Sequence, residues 1–268
     1  MSETDKVFSG SIPENYDRHM VPLIFESYAR DIAQRVAALS PKAVLETAAG
    51  SGVVTRAVAP VLSADASYVV TDLNQPMLDY AKTQQGADSR IRWQKADALA
   101  LPFEDTAFDL VCCQFGAMFF PDRPSGYREA KRVLKSGGCF LFNVWDRIEE
   151  NVFADDVTNA LAKLFPNDPP RFLARTPHGY HDTALIRSDL AKAGFTDVVI
   201  ETKAAQSRAP SARHVALAYC QGTPLRNEIE ARGNLEAATD YAASAIERRH
   251  GSGEVSAKIQ AHVILART

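Results

Sequence analysis

A short glycine-containing loop and a later aspartate are the residues of this 268-residue sequence best suited to bind a ligand. The loop reads ETAAGSG from Glu46 to Gly52, and its two glycines allow the backbone to turn tightly and approach a ligand closely. The helix predicted after it offers free N–H groups and a partial positive charge. Asp72 ends the next predicted strand, where a carboxylate can accept hydrogen bonds from both ribose hydroxyls of a nucleoside. The pattern predicts a nucleoside site; a tight turn with a solvated aspartate is the alternative.

Two features of this loop argue against a dinucleotide. Thr55 stands where the dinucleotide fingerprint G-x-G-x-x-G has its third glycine. Glu46 ends the first strand, beside the place where a pyrophosphate would lie. A carboxylate there repels phosphate but attracts a cationic ligand.

These residues lie in a regular alternation of strands and helices joined by short connections. Such alternation predicts a parallel sheet that is covered on both faces and built with right-handed crossovers. Apolar residues at helical spacing also predict a helix from Val21 to Leu39, before Pro41. The predicted strands are Ala43–Glu46, Ser67–Asp72, Ile91–Lys95, Phe108–Cys113 and Cys139–Val144, and the helices between them are Val53–Val61, Gln75–Gln84 and Ser125–Leu134.

The second half of the chain is less regular. A strand is predicted over Asp197–Thr202, and a period-2 pattern over Ala257–Leu265 predicts an antiparallel strand with one wet face. Between them, residues 211–250 are predicted to be helical. Helices are also expected over Val152–Leu164 and Thr183–Ala193.

Four stretches follow one another along the chain: VLETAAGSG, VVTDLNQPMLDYA, KADALALPFEDTAFDLVCCQFGAMFF and REAKRVLKSGGCFLFNVW. In this order they resemble the motifs of class I S-adenosylmethionine-dependent methyltransferases, in their small-molecule branch, similar to the ubiquinone and menaquinone type. The resemblance covers about Pro41 to Asp146. It implies an α/β fold with a doubly wound, seven-strand, mostly parallel, Rossmann-like sheet whose last strand is antiparallel, plus a helical cap.

The resemblance also implies a set of residues that bind S-adenosylmethionine. Asp72 would bind the ribose, Leu73 and Met77 would pack on adenine, and Asp97 with the Ala98 N–H would meet the polar edge of the ring. The methionine part would lie near the loop and the end of the fourth strand. The complete set is Glu46, Ala48, Gly50, Gly52, Asp72, Leu73, Met77, Asp97, Ala98, Gln114 and Phe115. Ala48 departs from the usual glycine, and we expect it to be tolerated with a negative φ.

The resemblance implies three parts of the chain and leaves the acceptor open. A lead-in (residues 1–40) would cover the cofactor, residues 41–210 and 251–268 would form the methyltransferase domain, and residues 211–250 would form the cap. Candidate substrate residues are Tyr16, Met118, Phe119, His178 and Tyr180, for which core packing or solvation is the competing interpretation. The acceptor is a small molecule: a quinol, phenol, carboxylate or amine.

Charge and composition argue against a nucleic-acid-binding protein and against a membrane-spanning protein. The formal net charge of −3 argues against a nucleic-acid partner, and no apolar run is long enough to span a bilayer. The polar N-terminus lacks the apolar h-region of a secretory signal, so we expect a cytoplasmic protein. Its cysteines are expected to be reduced in that compartment. No CxxC or other zinc-type spacing occurs in the sequence, so we expect no metal site. The alternatives are a nicotinamide-dependent oxidoreductase, disfavoured by Glu46 and Asp97, and a non-catalytic nucleoside-binding module. The oligomeric state is not predicted.

Overall fold

The computed structural model describes residues 16–268; the predicted polar N-terminus and the first part of the lead-in lie outside this range. Seven strands form one sheet in the order β3-β2-β1-β4-β5-β7-β6. Strands β1 to β5 run parallel, and β7 is antiparallel to both of its neighbours. This confirms the predicted doubly wound sheet. The strands are β1 (Ala43–Glu46), β2 (Ser67–Asp72), β3 (Ile91–Lys95), β4 (Phe108–Gln114), β5 (Leu134–Trp145), β6 (Asp197–Ala209) and β7 (Val255–Arg267).

Helices cover both faces of the sheet, because its central strands are apolar on both sides. The chain enters through a π-helical segment, Tyr16–Phe25, which we call the N-terminal segment. The α-helices are α1 (Glu26–Leu39), α2 (Val53–Val58), α3 (Gln75–Gln85), α4 (Arg123–Val133), α5 (Val152–Leu164), α6 (Phe172–Arg175), α7 (Thr183–Lys192), α8 (Ala212–Gln221), α9 (Leu225–Glu230) and α10 (Leu235–His250).

Strands β5 and β6 exceed the prediction from the sequence most, by six and seven residues, and β7 exceeds it by four. Strand β5 begins at Leu134 instead of Cys139, since Gly137 (φ +77°) lies in a bulge opposite β4 and does not end the preceding helix. Strand β6 continues to Ala209, and its whole length pairs with β7. Its second half is polar and half exposed because β6 is the edge of the sheet, so it lacks the apolar run of a buried strand.

Helices α8, α9 and α10 form the connection between the last two strands. Side-chain caps start two of them: the Ser211 hydroxyl accepts from the His214 N–H, and the Asn234 side chain accepts from the Ala237 N–H. Their apolar faces are buried against each other, against α5 and against the N-terminal segment. The helical insertion therefore lies beside the carboxyl ends of the strands.

Candidate functional site

The carboxyl ends of β1, β2 and β4 border a cavity of about 170 Å³, which we call the nucleoside cavity. The position agrees with the rule that open α/β sheets bind ligands at this edge. Of the eleven predicted cofactor residues, nine line it: Ala48, Gly50, Asp72, Leu73, Met77, Asp97, Ala98, Gln114 and Phe115. Sequence reasoning missed other lining residues, among them Asn74, Leu99, Gly116, Phe120 and Pro121.

The loop after β1 turns through three left-handed residues in alternation. Ala48, Gly50 and Gly52 have φ values of +53°, +57° and +83°. The expectation that Ala48 keeps a negative φ is therefore wrong. The loop needs this geometry because the neighbouring Thr47 and Ala49 N–H groups donate to carbonyls of β4 and β2, at Cys112 and Thr71. The left-handed conformation costs a non-glycine residue roughly 1–2 kcal/mol.

Gly116 compensates for the side chain of Ala48. A Cβ added at Gly116 would collide with the Cβ of Ala48 and would lie 2.8 Å from Sγ of Cys113. There is thus room for a Cβ at only one of the two positions, and the Cβ of Ala48 occupies it.

Replacing these two residues should reveal that coupling. We expect Ala48→Gly to raise the free energy of unfolding by about 1 kcal/mol through relief of backbone strain. Gly116→Ala should lower it by about 1–3 kcal/mol through overpacking. The double variant should be more stable than the sum of the two single changes predicts, as measured by urea unfolding, because a glycine at position 48 leaves room for the new Cβ at position 116. Strictly additive effects would show that the two positions do not compete for space.

Asp72 is held by the loop that it faces. Its Oδ2 accepts from the Gly50 N–H at 2.9 Å, and its Oδ1 accepts from the Asn74 N–H at 2.7 Å. Burial raises the pKa of this carboxyl, while the hydrogen bonds from Asn74 and Gly50 oppose the rise. Oδ2 keeps a lone pair for a further donor, and Oδ1 also accepts from the Asn74 side-chain amide at 3.3 Å, a long contact that a second ligand hydroxyl would replace. Two adjacent ligand hydroxyls fit this arrangement.

The residues that follow Asp72 and β3 offer a flat apolar surface with a polar edge. Leu73 is 45% exposed although it is a large apolar side chain at the cavity wall. Asp97 accepts from the Leu99 N–H at 2.9 Å through Oδ1. An aromatic base lying over Leu73 and Met77 would cover the apolar surface and bring its amino group toward Asp97.

Gln114 presents an unsatisfied acceptor at the other end of the cavity. Its Nε2 lies 3.4 Å from the Phe25 carbonyl, which orients the amide. Its Oε1 is buried and has no hydrogen-bond partner among residues 16–268. A buried orphan acceptor is costly unless a ligand donor reaches it. A ligand amino group fits this position.

Glu46 and Gly52 do not line the nucleoside cavity. The Glu46 carboxyl is buried beneath the loop, where the Thr55 hydroxyl (2.7 Å) and the Tyr68 hydroxyl both donate to its Oε2. Gly52 begins α2 and packs so closely on Ala81 that a Cβ would lie 2.9 Å from the Ala81 Cβ. In the structure, these two residues support the loop.

A second, smaller cavity of about 60 Å³ adjoins the first, and we call it the aromatic cavity. Tyr16, Phe115 and Phe119 line both cavities. Phe115 stacks on Trp145 with ring centroids 3.8 Å apart and planes 7° apart. The backbone of Phe115 is held in the left-handed region (φ +51°), and both the carbonyl and the side-chain oxygen of Asn143 accept from its N–H. Further walls come from Phe25, Phe172, Leu173, Pro177, Tyr219, Thr223 and Pro224.

The structure brings four of the five candidate substrate residues to this region. Tyr16 and Phe119 border both cavities, and Met118 and His178 border the aromatic cavity. Tyr180 lines neither; its hydroxyl donates to Asp189 at 3.0 Å, and the Arg123 guanidinium lies 4.0 Å above its ring. Tyr180 is therefore part of the core in this structure.

No helix among residues 16–268 is long and apolar enough to cross a membrane. In the same range, no group of three or more histidine, cysteine, aspartate or glutamate side chains is arranged to hold a metal ion.

The chain is similar in sequence to named methyltransferases and similar in fold to a solved protein. The sequence model of the ubiE/COQ5 methyltransferase family matches residues 2–209. A demethylmenaquinone methyltransferase from Clavibacter sepedonicus is 28% identical over 61% of this chain and 69% of its own length. A ubiquinone/menaquinone biosynthesis C-methyltransferase from Pseudomonas aeruginosa (strain LESB58) is 28% identical over 58% of this chain and 65% of its own. The solved YcgJ protein of Bacillus subtilis superposes with a TM-score of 0.57, at 19% identity over 90% of this chain and 99% of that one.

Proposed function

Since the chain belongs to the ubiE/COQ5 methyltransferase family and is an S-adenosylmethionine-dependent methyltransferase, we propose that it methylates an aromatic hydroxyl compound, such as a quinol, held in the aromatic cavity. The observation that carries this proposal is the junction of the two cavities. Tyr16, Phe115 and Phe119 border both, so two ligands would meet at these rings.

The nucleoside cavity fits S-adenosylmethionine. Asp72 would accept from the ribose hydroxyls, Leu73 would cover adenine, and the orphan Oε1 of Gln114 would accept from the methionine amino group. When bound, this cofactor supplies an electrophilic methyl group on a sulfonium centre. The residues of this chain position the two ligands and exclude water between them.

The lining of the aromatic cavity favours a neutral aromatic acceptor over a charged one. Among the described residues around it, none carries a formal charge when His178 is neutral. A carboxylate or an ammonium group would lose its hydration there without gaining a partner. A planar ring would pack against Trp145 and Phe25. The named activities of the quinone-pathway relatives agree with this choice of acceptor.

Cofactor choice is tested by direct binding. We expect S-adenosylhomocysteine to bind with a micromolar Kd, about −8 kcal/mol, and NAD to bind far more weakly, as measured by calorimetry. Tighter binding of NAD would favour the oxidoreductase alternative. Binding of S-adenosylhomocysteine without turnover of any quinol, phenol, carboxylate or amine in a panel would favour the non-catalytic alternative.

The insertion between β6 and β7 contributes to the acceptor side only. Tyr219 lies in α8, and Thr223 and Pro224 follow it, and all three line the aromatic cavity but not the nucleoside cavity. We therefore propose that residues 211–250 cap the acceptor and help to select it.

Shortening one cap residue should separate acceptor binding from cofactor binding. We expect Tyr219→Ala to weaken the binding of 1-naphthol, a neutral aromatic hydroxyl probe, about tenfold through lost aromatic contact area. The Kd of S-adenosylhomocysteine should not change. Tyr241→Ala is the matched control, because Tyr241 lies on the outside of the same insertion and is 37% exposed. Equal loss of both ligands would assign the insertion to the cofactor site.

A further inference from the structure

His178 is the one side chain with acid–base chemistry near neutral pH among the described residues that line the aromatic cavity. It follows α6 in a loop whose backbone is fixed: its N–H donates to the Leu173 carbonyl at 3.1 Å. The imidazole is buried, and its centroid lies 6.0 Å from that of the Trp145 ring. Trp145 in turn stacks on Phe115, which borders the nucleoside cavity. Since His178, Trp145 and Phe115 line the same cavity, a ring bound there lies within reach of His178 and of the residue that borders the nucleoside cavity.

The surroundings of His178 select one tautomer. Its Nδ1 lies 2.9 Å from the Asp146 carbonyl oxygen. A carbonyl can only accept, so Nδ1 must carry the hydrogen and Nε2 must carry the lone pair. Among residues 16–268, the imidazole makes its one hydrogen bond through Nδ1. The basic nitrogen is thus left for a ligand.

The carbonyl that sets this tautomer is held in place by a network at the end of β5. The Asp146 N–H donates to the Gln260 carbonyl at 3.0 Å, and the Gln260 amide donates to Asp146 Oδ2 at 2.6 Å. His262 Nε2 lies 3.2 Å from Asp146 Oδ1. On the other side, His181 Nδ1 lies 2.8 Å from the His178 carbonyl. The imidazole is therefore oriented by strands β5 and β7, as a catalytic base requires.

We propose that His178 is the general base of the methyl transfer: its Nε2 takes the hydroxyl proton of an aromatic acceptor bound in the aromatic cavity. The proposal rests on the proposed function. As the O–H bond breaks, its electron pair makes the hydroxyl oxygen, or the ring carbon conjugated with it, nucleophilic. That atom forms a bond to the methyl carbon, the S–CH₃ bond breaks, and its electron pair stays on sulfur. For transfer to carbon, the ring then loses the proton of the methylated carbon to water and regains aromaticity.

The net charge of the site does not change during proton abstraction and methyl transfer. Burial lowers the pKa of His178 to about 4, so the resting imidazole is neutral throughout the physiological range and its Nε2 keeps the lone pair. The positive charge that disappears from sulfur reappears on the imidazolium, so the net charge of the site stays constant. The Asp146 carbonyl faces Nδ1–H and stabilises that imidazolium, and the carboxylates of Asp146 and Glu149 also favour it.

A pair of probes that differ by one hydroxyl group tests the contact. In the presence of S-adenosylhomocysteine, the wild-type protein should bind 1-naphthol about five- to tenfold more tightly than naphthalene, the worth of one hydrogen bond. His178→Phe should abolish this preference, and His178→Gln, which keeps an acceptor, should retain part of it. His214→Phe is the matched control, because His214 is a cap histidine that contacts His19 and lines neither cavity. An unchanged preference in His178→Phe would overturn the proposal.

Two further measurements separate this proposal from the function on which it rests. Ring ¹⁵N spectra of the wild-type protein should show His178 with a protonated Nδ1 and an unprotonated Nε2 whose resonance shifts with 1-naphthol but not with naphthalene; the opposite tautomer would overturn the proposal. With 1,4-naphthalenediol, His178→Phe should lower kcat about hundredfold or more at a nearly unchanged Kd for S-adenosylhomocysteine. A variant that keeps the wild-type kcat would exclude a general base. Absence of wild-type turnover would contradict the acceptor class, while the binding and ¹⁵N results would still decide the role of His178.

Discussion

Asp72→Ala should weaken the binding of S-adenosylhomocysteine by about ten- to a hundredfold, because a hydrogen bond to a charged acceptor contributes roughly 1.5–3 kcal/mol. The carboxylate is already oriented by the Gly50 and Asn74 N–H groups, so no rearrangement is needed before the ribose binds. Its burial also excludes the water that would otherwise screen the contact. The expected loss is in affinity and is measured by calorimetry.

The control must show that the loss belongs to the ligand contact. Asp79→Ala removes an aspartate on the outer side of α3, where its carboxylate only accepts from Gln75 at 2.8 Å, so its Kd should equal that of the wild type. Asp72→Ala also leaves two loop N–H groups without their acceptor, so thermal unfolding of both variants should be measured alongside. If a folded Asp72→Ala protein keeps the wild-type Kd, Asp72 is only a strand-end residue and the proposed ribose contact is wrong.

The central sheet could be predicted from the sequence because its signals are local. Strands β1, β2 and β4 contain short apolar runs, β3 alternates apolar and polar residues over Ile91–Trp93, and the predicted bounds of all four agree with the structure to within one residue. The edge formed by β6 is harder to predict than the edge formed by β3. Strand β6 is stabilised by pairing with β7 over residues far away in the chain, which leaves no periodic apolar pattern in its second half. The start of β5 was missed for a related reason: a bulge at Gly137 is set by the partner strand.

For the same reason, the sequence predicts the lining of the nucleoside cavity better than that of the aromatic cavity. The nucleoside cavity is built by consecutive strand-end loops, so one ordered set of motifs predicts most of its lining. The aromatic cavity is assembled from the N-terminal segment, the end of β5, the loop after α6 and the insertion. Trp145 and Tyr219 meet there only through tertiary packing. The sequence indicates Tyr16, Met118, Phe119 and His178 as candidates for this lining, and the position of Trp145 at the carboxyl end of a strand is a further signal.

Glu46 shows how a predicted residue acquires a different physical role. Its carboxyl is buried among Tyr68, Thr55 and Cys112, away from the cavity wall. Burial raises the pKa of Glu46 to about 7, and the hydrogen bonds from Tyr68 and Thr55 only partly oppose this rise. Both hydroxyls donate to Oε2, so a proton on Oε1 leaves the two hydrogen bonds intact. The folded chain therefore holds a proton that the unfolded chain releases near its ordinary value of 4.5.

The free energy of unfolding should depend on pH because of this buried carboxyl. Because the folded-state pKa is raised, the contribution of Glu46 is fully present below pH 4.5 and is lost as the pH rises through about 7. The loss is at most about 3 kcal/mol. In Glu46→Gln the amide oxygen still accepts from Tyr68 and Thr55 but does not titrate, so the variant should gain stability relative to the wild type by up to that amount between pH 4.5 and pH 8. Urea unfolding at several pH values measures this difference, from which the titration of other groups such as Asp72 cancels. Glu104→Gln, at an exposed loop position, should follow the wild-type curve. A constant difference between Glu46→Gln and the wild type would mean that Glu46 ionises alike in the folded and unfolded chains and would contradict its burial as a neutral acid.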